Sequence, residues 1–210
     1  MSRLAIFDLD GTLIDSKEDL ALAVNYALAH AGAPTRSLDE VTHFVGDGPA
    51  KLIKRSVEPR QELFDPVLET WAAYYAEHLL DHTVLYPGLA EVLAAARRPL
   101  AVQTNKPGDL ARKILRGLGV LDRFAVVRGS DEGPRKPDPA GALQIAAQLG
   151  ARPDEAVFVG DSKVDLETAR AAGMTFVAVT WGYVPEQELA AAGAKIFVRS
   201  AAELGPWLGA

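Results

Sequence analysis

Near the N-terminus, Asp8-Leu9-Asp10-Gly11-Thr12 follows the apolar run Leu4-Ala5-Ile6-Phe7. In extended backbone, residues i and i+2 point to the same side, so Asp8 and Asp10 can face one substrate. Two carboxylates so placed can divide a group transfer between them, one attacking while the other moves a proton. Three more polar clusters stand at the ends of apolar runs or in loops: Thr104-Asn105-Lys106, Lys136-Pro137-Asp138-Pro139 and Gly160-Asp161-Ser162-Lys163-Val164-Asp165. Ionised carboxylates that converge in one site repel each other and persist there around a cation. Oxygen ligands without His or Cys select a hard ion, Mg2+ ahead of Zn2+. Mg2+ beside Lys and Thr is a setting for a phosphoryl group: metal and ammonium offset its charge, and hydroxyl and N–H groups orient it.

These clusters need a scaffold that gathers them. Leu4–Phe7, Leu100–Gln103, Ala156–Val159 and Thr175–Val179 are continuous apolar runs bounded by Gly, Asp or Pro, as expected of strands buried on both faces of a parallel sheet. Phe124–Val127 and Lys195–Val198 are weaker candidates. Helical patterns lie between them, among them Leu110, Ile114, Leu115 and Leu118, and a second that stops at Gly150. This alternation predicts an α/β fold with a doubly wound, Rossmann-like parallel sheet, in which ligands bind beyond the carboxyl ends of the strands. Residues 16–82 break the rhythm, with helical signals and no strand signal. Ser16-Lys17-Glu18-Asp19 resembles a capping box opening a helix, and Ser37-Leu38-Asp39-Glu40 repeats the signal. Leu52, Ile53 and Val57 suggest a third helix; Val67, Trp71, Tyr75 and Leu79 suggest a fourth. The expected organisation is an α/β core (1–15 and 83–210) with an inserted all-helical cap (16–82).

Composition narrows the partners. The chain has 210 residues, 49% of them hydrophobic, and needs no staples to form a core. With no cysteine, thiolate metal sites, disulfides and a cysteine nucleophile are excluded together. A net charge of −6 disfavours nucleic acid and anionic membranes as partners. No run approaches the roughly 20 apolar residues of a membrane span. The expectation is a cytoplasmic protein, monomer or homodimer, with a small phosphorylated metabolite as partner. His30, His43, His78 and His82 are scattered through the insert and are expected at the surface or in packing. Trp71, Tyr74 and Tyr75 are expected to pack the cap interior. Gly46-Asp47-Gly48 lacks a third glycine and a preceding strand, which rejects a dinucleotide site. Singly, each polar cluster has a plainer reading: Asp10-Gly11 as a hairpin turn, Asp161-Ser162 as a helix cap, Lys136 as a solvated loop lysine. Together they favour a site, with Ser162 itself read as a cap.

Phe7-Asp8-Leu9-Asp10-Gly11-Thr12 resembles the signature of the haloacid dehalogenase-like superfamily, and Thr104, Lys136 and the pair Asp161/Asp165 match its later motifs in order. That resemblance implies Asp8 as nucleophile, forming an aspartyl-phosphate, and Asp10 as acid and then base. It implies Thr104 and the Asn105 backbone as holders of phosphoryl oxygens, with Lys136 neutralising charge beside Asp8. It implies Mg2+ on Asp8, the Asp10 carbonyl and Asp161, with Asp165 a direct or indirect ligand. Phe44-Val45-Gly46-Asp47-Gly48-Pro49-Ala50 is similar to the cap loop of phosphoglycolate phosphatases, which implies that Gly46, Asp47 and Gly48 meet the substrate. The loop departs from that pattern at Asp47 and Pro49. Asp47, if it faces the substrate, would oppose a carboxylated phosphate, with Lys51, Lys54 or Arg55 available to compensate. Pyrophosphate, sugar phosphates and nucleotides remain alternative substrates, and a phosphomutase or a non-enzymatic phospho-ligand binder remain alternative functions.

Overall fold

The structure, a computed structural model, describes residues 3–210. Strand β1 (Leu4–Phe7) and the two-residue β2 (Ile14–Asp15) lead into helices α1 (Lys17–His30), α2 (Leu38–Phe44), α3 (Pro49–Ser56) and α4 (Phe64–Glu77). The chain returns through β3 (Val84–Leu85), then α5 (Leu89–Ala95), β4 (Leu100–Gln103), α6 (Gly108–Gly117) and β5 (Val126–Arg128). It continues through α7 (Ala140–Gln148), β6 (Ala156–Gly160), α8 (Lys163–Ala172), β7 (Thr175–Val179), α9 (Glu186–Ala191), β8 (Phe197–Val198) and α10 (Gly205–Leu208). No helix among the described residues is long and apolar enough to cross a membrane.

The main sheet is parallel throughout, in the order β5-β4-β1-β6-β7-β8. From β1 the chain winds outward on one side, then returns to place β6 against the other side of β1. That reversal leaves a crevice at the carboxyl ends of β1 and β6, where a doubly wound sheet binds its ligand. The side-chain alternation of β1 shows why the sheet needs cover on both faces: Leu4 and Ile6 join one apolar cluster with Phe158 and Phe176, while Ala5 and Phe7 join the other. The second cluster runs on without a break into the helical insert, through Leu20, Val24, Leu28, Val67 and Tyr75. Insert and core therefore share apolar burial.

Local signals were mostly kept. Ser37 and Glu40 form a reciprocal capping box at the start of α2, and Gly173 ends α8 in the left-handed region. Two weak strands shift: the expected Phe124–Val127 becomes Val126–Arg128, and Lys195–Val198 shortens to Phe197–Val198. Phe124 instead sits edge-on to Phe7, ring centres 6.3 Å apart. The insert is flanked by an antiparallel pair that periodicity cannot detect, β2 against β3, because two residues carry no alternation.

The capping box expected at Ser16-Asp19 does not form. Ser16 precedes α1 but gives it no side-chain bond; its Oγ donates to Asp10 Oδ1 at 2.5 Å. That charge-assisted bond turns the hydroxyl toward Asp10, where it also lies 3.2 Å from Tyr183 Oη. Asp19, buried, accepts from His82 N (3.0 Å), Thr83 N (2.8 Å) and Thr83 Oγ1 (2.6 Å), so it ties the exit of the insert to its entry. Asp19→Ala leaves these donors unpaired and is expected to lower unfolding free energy by about 2–3 kcal/mol. Urea denaturation checks this; an unchanged midpoint would show that the tie carries no stability.

Candidate active site

Asp8 follows β1 and Asp161 follows β6, on the two strands that border the crevice. Asp165 lies one turn into α8. Carboxylate oxygens of Asp8, Asp161 and Asp165 all lie within 4.8 Å of one another, and all three residues are buried. Lys136, brought in by the loop before α7, places its Nζ 2.6 Å from Asp8 Oδ1 and 2.6 Å from Asp165 Oδ1. Burial would lower the lysine's pKa, but Asp165 and Asp8 more than offset it and hold the ammonium charged.

A single ammonium among three carboxylates leaves negative charge in excess. Burial and the nearby Asp165 push Asp161 up to about 7, and the same two causes hold Asp8 well above the ordinary carboxylate range despite Lys136. Both shifts record the cost of placing these charges together with only Lys136 to balance them. The donors are oxygens only, which fits a hard divalent cation such as Mg2+. Asp161 is also fixed in place: Thr12 Oγ1 donates to its Oδ1 at 2.8 Å and Tyr183 N to its Oδ2 at 2.8 Å. Gly11 turns there with φ +80, and a Cβ on it would lie 2.3 Å from Asp161 Oδ2. Only glycine fits both that conformation and that approach.

Asp165 serves two structures at once. Its Oδ1 accepts from Lys136, while its Oδ2 accepts from Ser162 Oγ at 2.6 Å and Ser162 N at 3.1 Å. Ser162 is thus the cap that the sequence suggested, and Asp165 is the third residue of a capping box.

Asp8 and Asp10 open into one cleft with Thr104, Asn105 and Lys106. The insert supplies the opposite wall: Leu20, Val45, Gly46, Gly48, Pro49, Leu52 and Trp71. The Asp10 carboxylate stands apart from the acidic triad and pairs with Lys106 Nζ at 3.0 Å. Thr104 is buried beneath the cleft, its Oγ1 accepting from Lys106 N at 3.1 Å. The Asn105 side chain fastens two loops. Its Oδ1 accepts from Lys136 N at 2.9 Å, and its Nδ2 donates to Gly46 O at 3.0 Å.

Asp47, expected at the substrate, has other partners in this structure. It does not line the cleft, although Gly46 and Gly48 on either side do. Lys51 Nζ at 3.0 Å and Arg55 Nη2 at 2.5 Å hold its carboxylate against α3. Burial opposes its charge, but those two cations prevail and keep the carboxyl below its ordinary range. Spacing at i+4 and i+8 on the following helix was the available signal.

Sequence reasoning left four neighbours of the site without a role there: Ser16, Lys106, Trp71 and Tyr75. Lys106 reaches Tyr75 Oη at 2.6 Å as well as Asp10, and Trp71 stacks on Tyr75 with ring centres 5.1 Å apart. Tyr74 pairs outward with Tyr26 and His78, and His78 and His82 lie toward solvent beside Asp81 and Glu18. No histidine joins the acidic cluster.

Comparisons with known proteins find relatives along most of the chain. Residues 5–179 match the family model of the haloacid dehalogenase-like hydrolases. A phosphoglycolate phosphatase of Chromobacterium violaceum is 40% identical over 208 residues, spanning 94% of this chain and 92% of its own. Another, from Cereibacter sphaeroides, is 41% identical over 85% of each chain. The crystal structure of a predicted phosphoglycolate phosphatase from Haemophilus somnus is 32% identical, covers 97% of this chain and 96% of its own, and superposes with a TM-score of 0.91. A family model matched over residues 5–179 and relatives 40% and 41% identical over most of the chain show that it belongs to the haloacid dehalogenase-like hydrolase family.

Proposed function

We propose that this hydrolase is a Mg2+-dependent phosphatase of small phosphomonoesters, phosphoglycolate foremost, working through an aspartyl-phosphate on Asp8. The observation that carries the proposal is the environment of Asp8: a buried carboxylate bonded to Lys136, beside Asp161 and Asp165, at the base of an open cleft. The relatives named phosphoglycolate phosphatase, and the cap-loop glycines Gly46 and Gly48 facing that cleft, support the substrate. In this reading residues 16–82 form the cap and 1–15 with 83–210 the core of a cytoplasmic enzyme.

The proposed sequence of events follows from the residues. Asp8 attacks phosphorus, and the bond from phosphorus to the leaving oxygen breaks. Asp10 gives that oxygen a proton, so an alcohol departs rather than an alkoxide. Asp10 then takes a proton from water, which attacks the phosphoryl group and frees Asp8 and phosphate. Thr104 and the Asn105 N–H hold phosphoryl oxygens, while Lys136 offsets charge where Asp8 meets phosphorus. Asp8, the Asp10 carbonyl and Asp161 would hold Mg2+, which would supply the remaining positive charge. Asp165, whose two oxygens already accept from Lys136 and Ser162, supports that shell.

Phosphate release from a panel containing phosphoglycolate, pyrophosphate and sugar phosphates tests the substrate; phosphoglycolate is expected to give the highest kcat/KM. Asp8→Asn keeps the shape and removes the nucleophile, so turnover is expected to vanish while circular dichroism is unchanged. Ordinary turnover in that variant would exclude Asp8. EDTA is expected to stop the reaction and Mg2+ to restore it; restoration by Zn2+ alone would contradict the oxygen-ligand argument. Lys136→Met removes the ammonium shared by Asp8 and Asp165 and is expected to cost about 3–5 kcal/mol of stability, read by urea denaturation. A variant as stable as the parent would show that the triad does not depend on that cation.

A further inference from the structure

The loop after β7 reaches two carboxylates of the site, Asp161 directly and Asp10 through one intermediary. Trp181 Nε1 donates to Thr12 O at 3.1 Å, and Tyr183 N donates to Asp161 Oδ2 at 2.8 Å. A Cβ on Gly182, between them, would collide with Asp161, so the loop packs directly on that residue. The Tyr183 side chain points to the entry of the insert. Its Oη accepts from Ser16 N at 2.9 Å and lies 3.2 Å from Ser16 Oγ. Ser16 has a single hydroxyl proton and gives it to Asp10 Oδ1, so Tyr183 is the donor to Ser16 Oγ. The hydroxyl protons run one way, from Tyr183 through Ser16 to Asp10.

The two oxygens of Asp10 have different surroundings. Oδ1 accepts from Ser16 and pairs with Lys106 Nζ at 3.0 Å. Oδ2 takes no hydrogen bond among the described residues and is not closed off from solvent. Asp10 lines the cleft that contains Asp8, which leaves Oδ2 as the oxygen a ligand there can reach. When Oδ1 already receives a hydroxyl and an ammonium, the proton of a neutral carboxyl belongs on Oδ2. We propose that Tyr183 is a positioning residue for the acid step: through Ser16 it holds Asp10 with Oδ2 as the oxygen that protonates the leaving group. This rests on the phosphatase reading and adds to it the atom that moves the proton. As Asp8 bonds to phosphorus and the bond to the leaving oxygen breaks, the Oδ2 proton passes to that oxygen and Asp10 is left ionised. The bonds from Ser16 and Lys106 to Oδ1 strengthen as the charge forms, because an ionised acceptor is the stronger one. Without the Tyr183 hydroxyl, Ser16 Oγ loses its own donor and is free to turn away from Asp10.

The test compares phosphoglycolate, whose leaving alkoxide needs a proton, with acetyl phosphate, a small substrate whose acetate leaves without one. Tyr183→Phe is expected to lower kcat/KM about tenfold for phosphoglycolate and less than about twofold for acetyl phosphate, since a positioned acid is worth about 10²–10⁴-fold only where a proton is needed. Ser16→Ala is expected to show the same split, and Ser16→Thr, which keeps the hydroxyl, to restore the phosphoglycolate rate. Mg2+ affinity by titration calorimetry is expected to stay at the wild-type value in Tyr183→Phe, because the backbone N–H on Asp161 remains. Equal losses on the two substrates, no loss on phosphoglycolate, or a parallel fall in Mg2+ affinity overturns the positioning role and leaves the phosphatase reading standing. Failure of the wild-type protein to release phosphate from phosphoglycolate overturns the substrate reading itself, and this inference with it.

Discussion

The carboxylates of Asp8, Asp161 and Asp165 are packed within 4.8 Å of one another with a single ammonium, Lys136, between two of them. Buried charge of one sign is tolerated only when its surroundings are rigid and its counter-charges are supplied. Much of the nearby structure answers that constraint. Thr12 and the Tyr183 N–H fix Asp161, Ser162 fixes Asp165, and Asn105 fixes the backbone of Lys136. Gly11 and Gly182 each leave out a Cβ that would collide with Asp161. What these contacts leave over is a charge deficit that suits a hard divalent ion, and an incoming phosphoryl group would meet that ion together with Lys136.

The sheet explains why residues so far apart in sequence can meet. Reversal of winding puts β1 and β6 side by side, so one step past each strand brings Asp8 and Asp161 together. The helical insert then closes the site from above through a few polar contacts. Gly46 on Asn105, Tyr75 on Lys106 and Ser16 on Asp10 each join the insert or its entry to a residue of the core cleft. Two of the three end on Asp10 or on its partner Lys106. The position of the insert and the surroundings of the proposed proton donor are thereby coupled in one network, so a movement of the insert would alter both.

Much of this was legible in the chain. Asp8 and Asp10 at i and i+2, continuous apolar strands, and the caps at Ser37 and Ser162 all depend on local chemistry, and local chemistry is what sequence records. The losses have one cause, competition from a partner distant in sequence. Ser16 had a good helix to cap and took the Asp10 carboxylate instead. Asp47 sat among glycines facing the cleft, yet two cations on α3 drew it aside. Trp71 and Tyr75 followed a helical period that reads as ordinary core packing. What that period could not convey is the placement of α4 over the cleft, with Trp71 among its lining residues. β2 and β3 were too short to leave any pattern.

Titration calorimetry of Mg2+ against the wild-type chain and against Asp161→Asn probes the central interaction directly, because it reads the cation without requiring turnover. The charge balance predicts that the wild-type protein binds a single Mg2+ ion and that removing one carboxylate charge from the triad abolishes or severely weakens that binding. Equal affinity in the two proteins, or no binding to either, would contradict the view that the acidic triad is held together around a divalent ion.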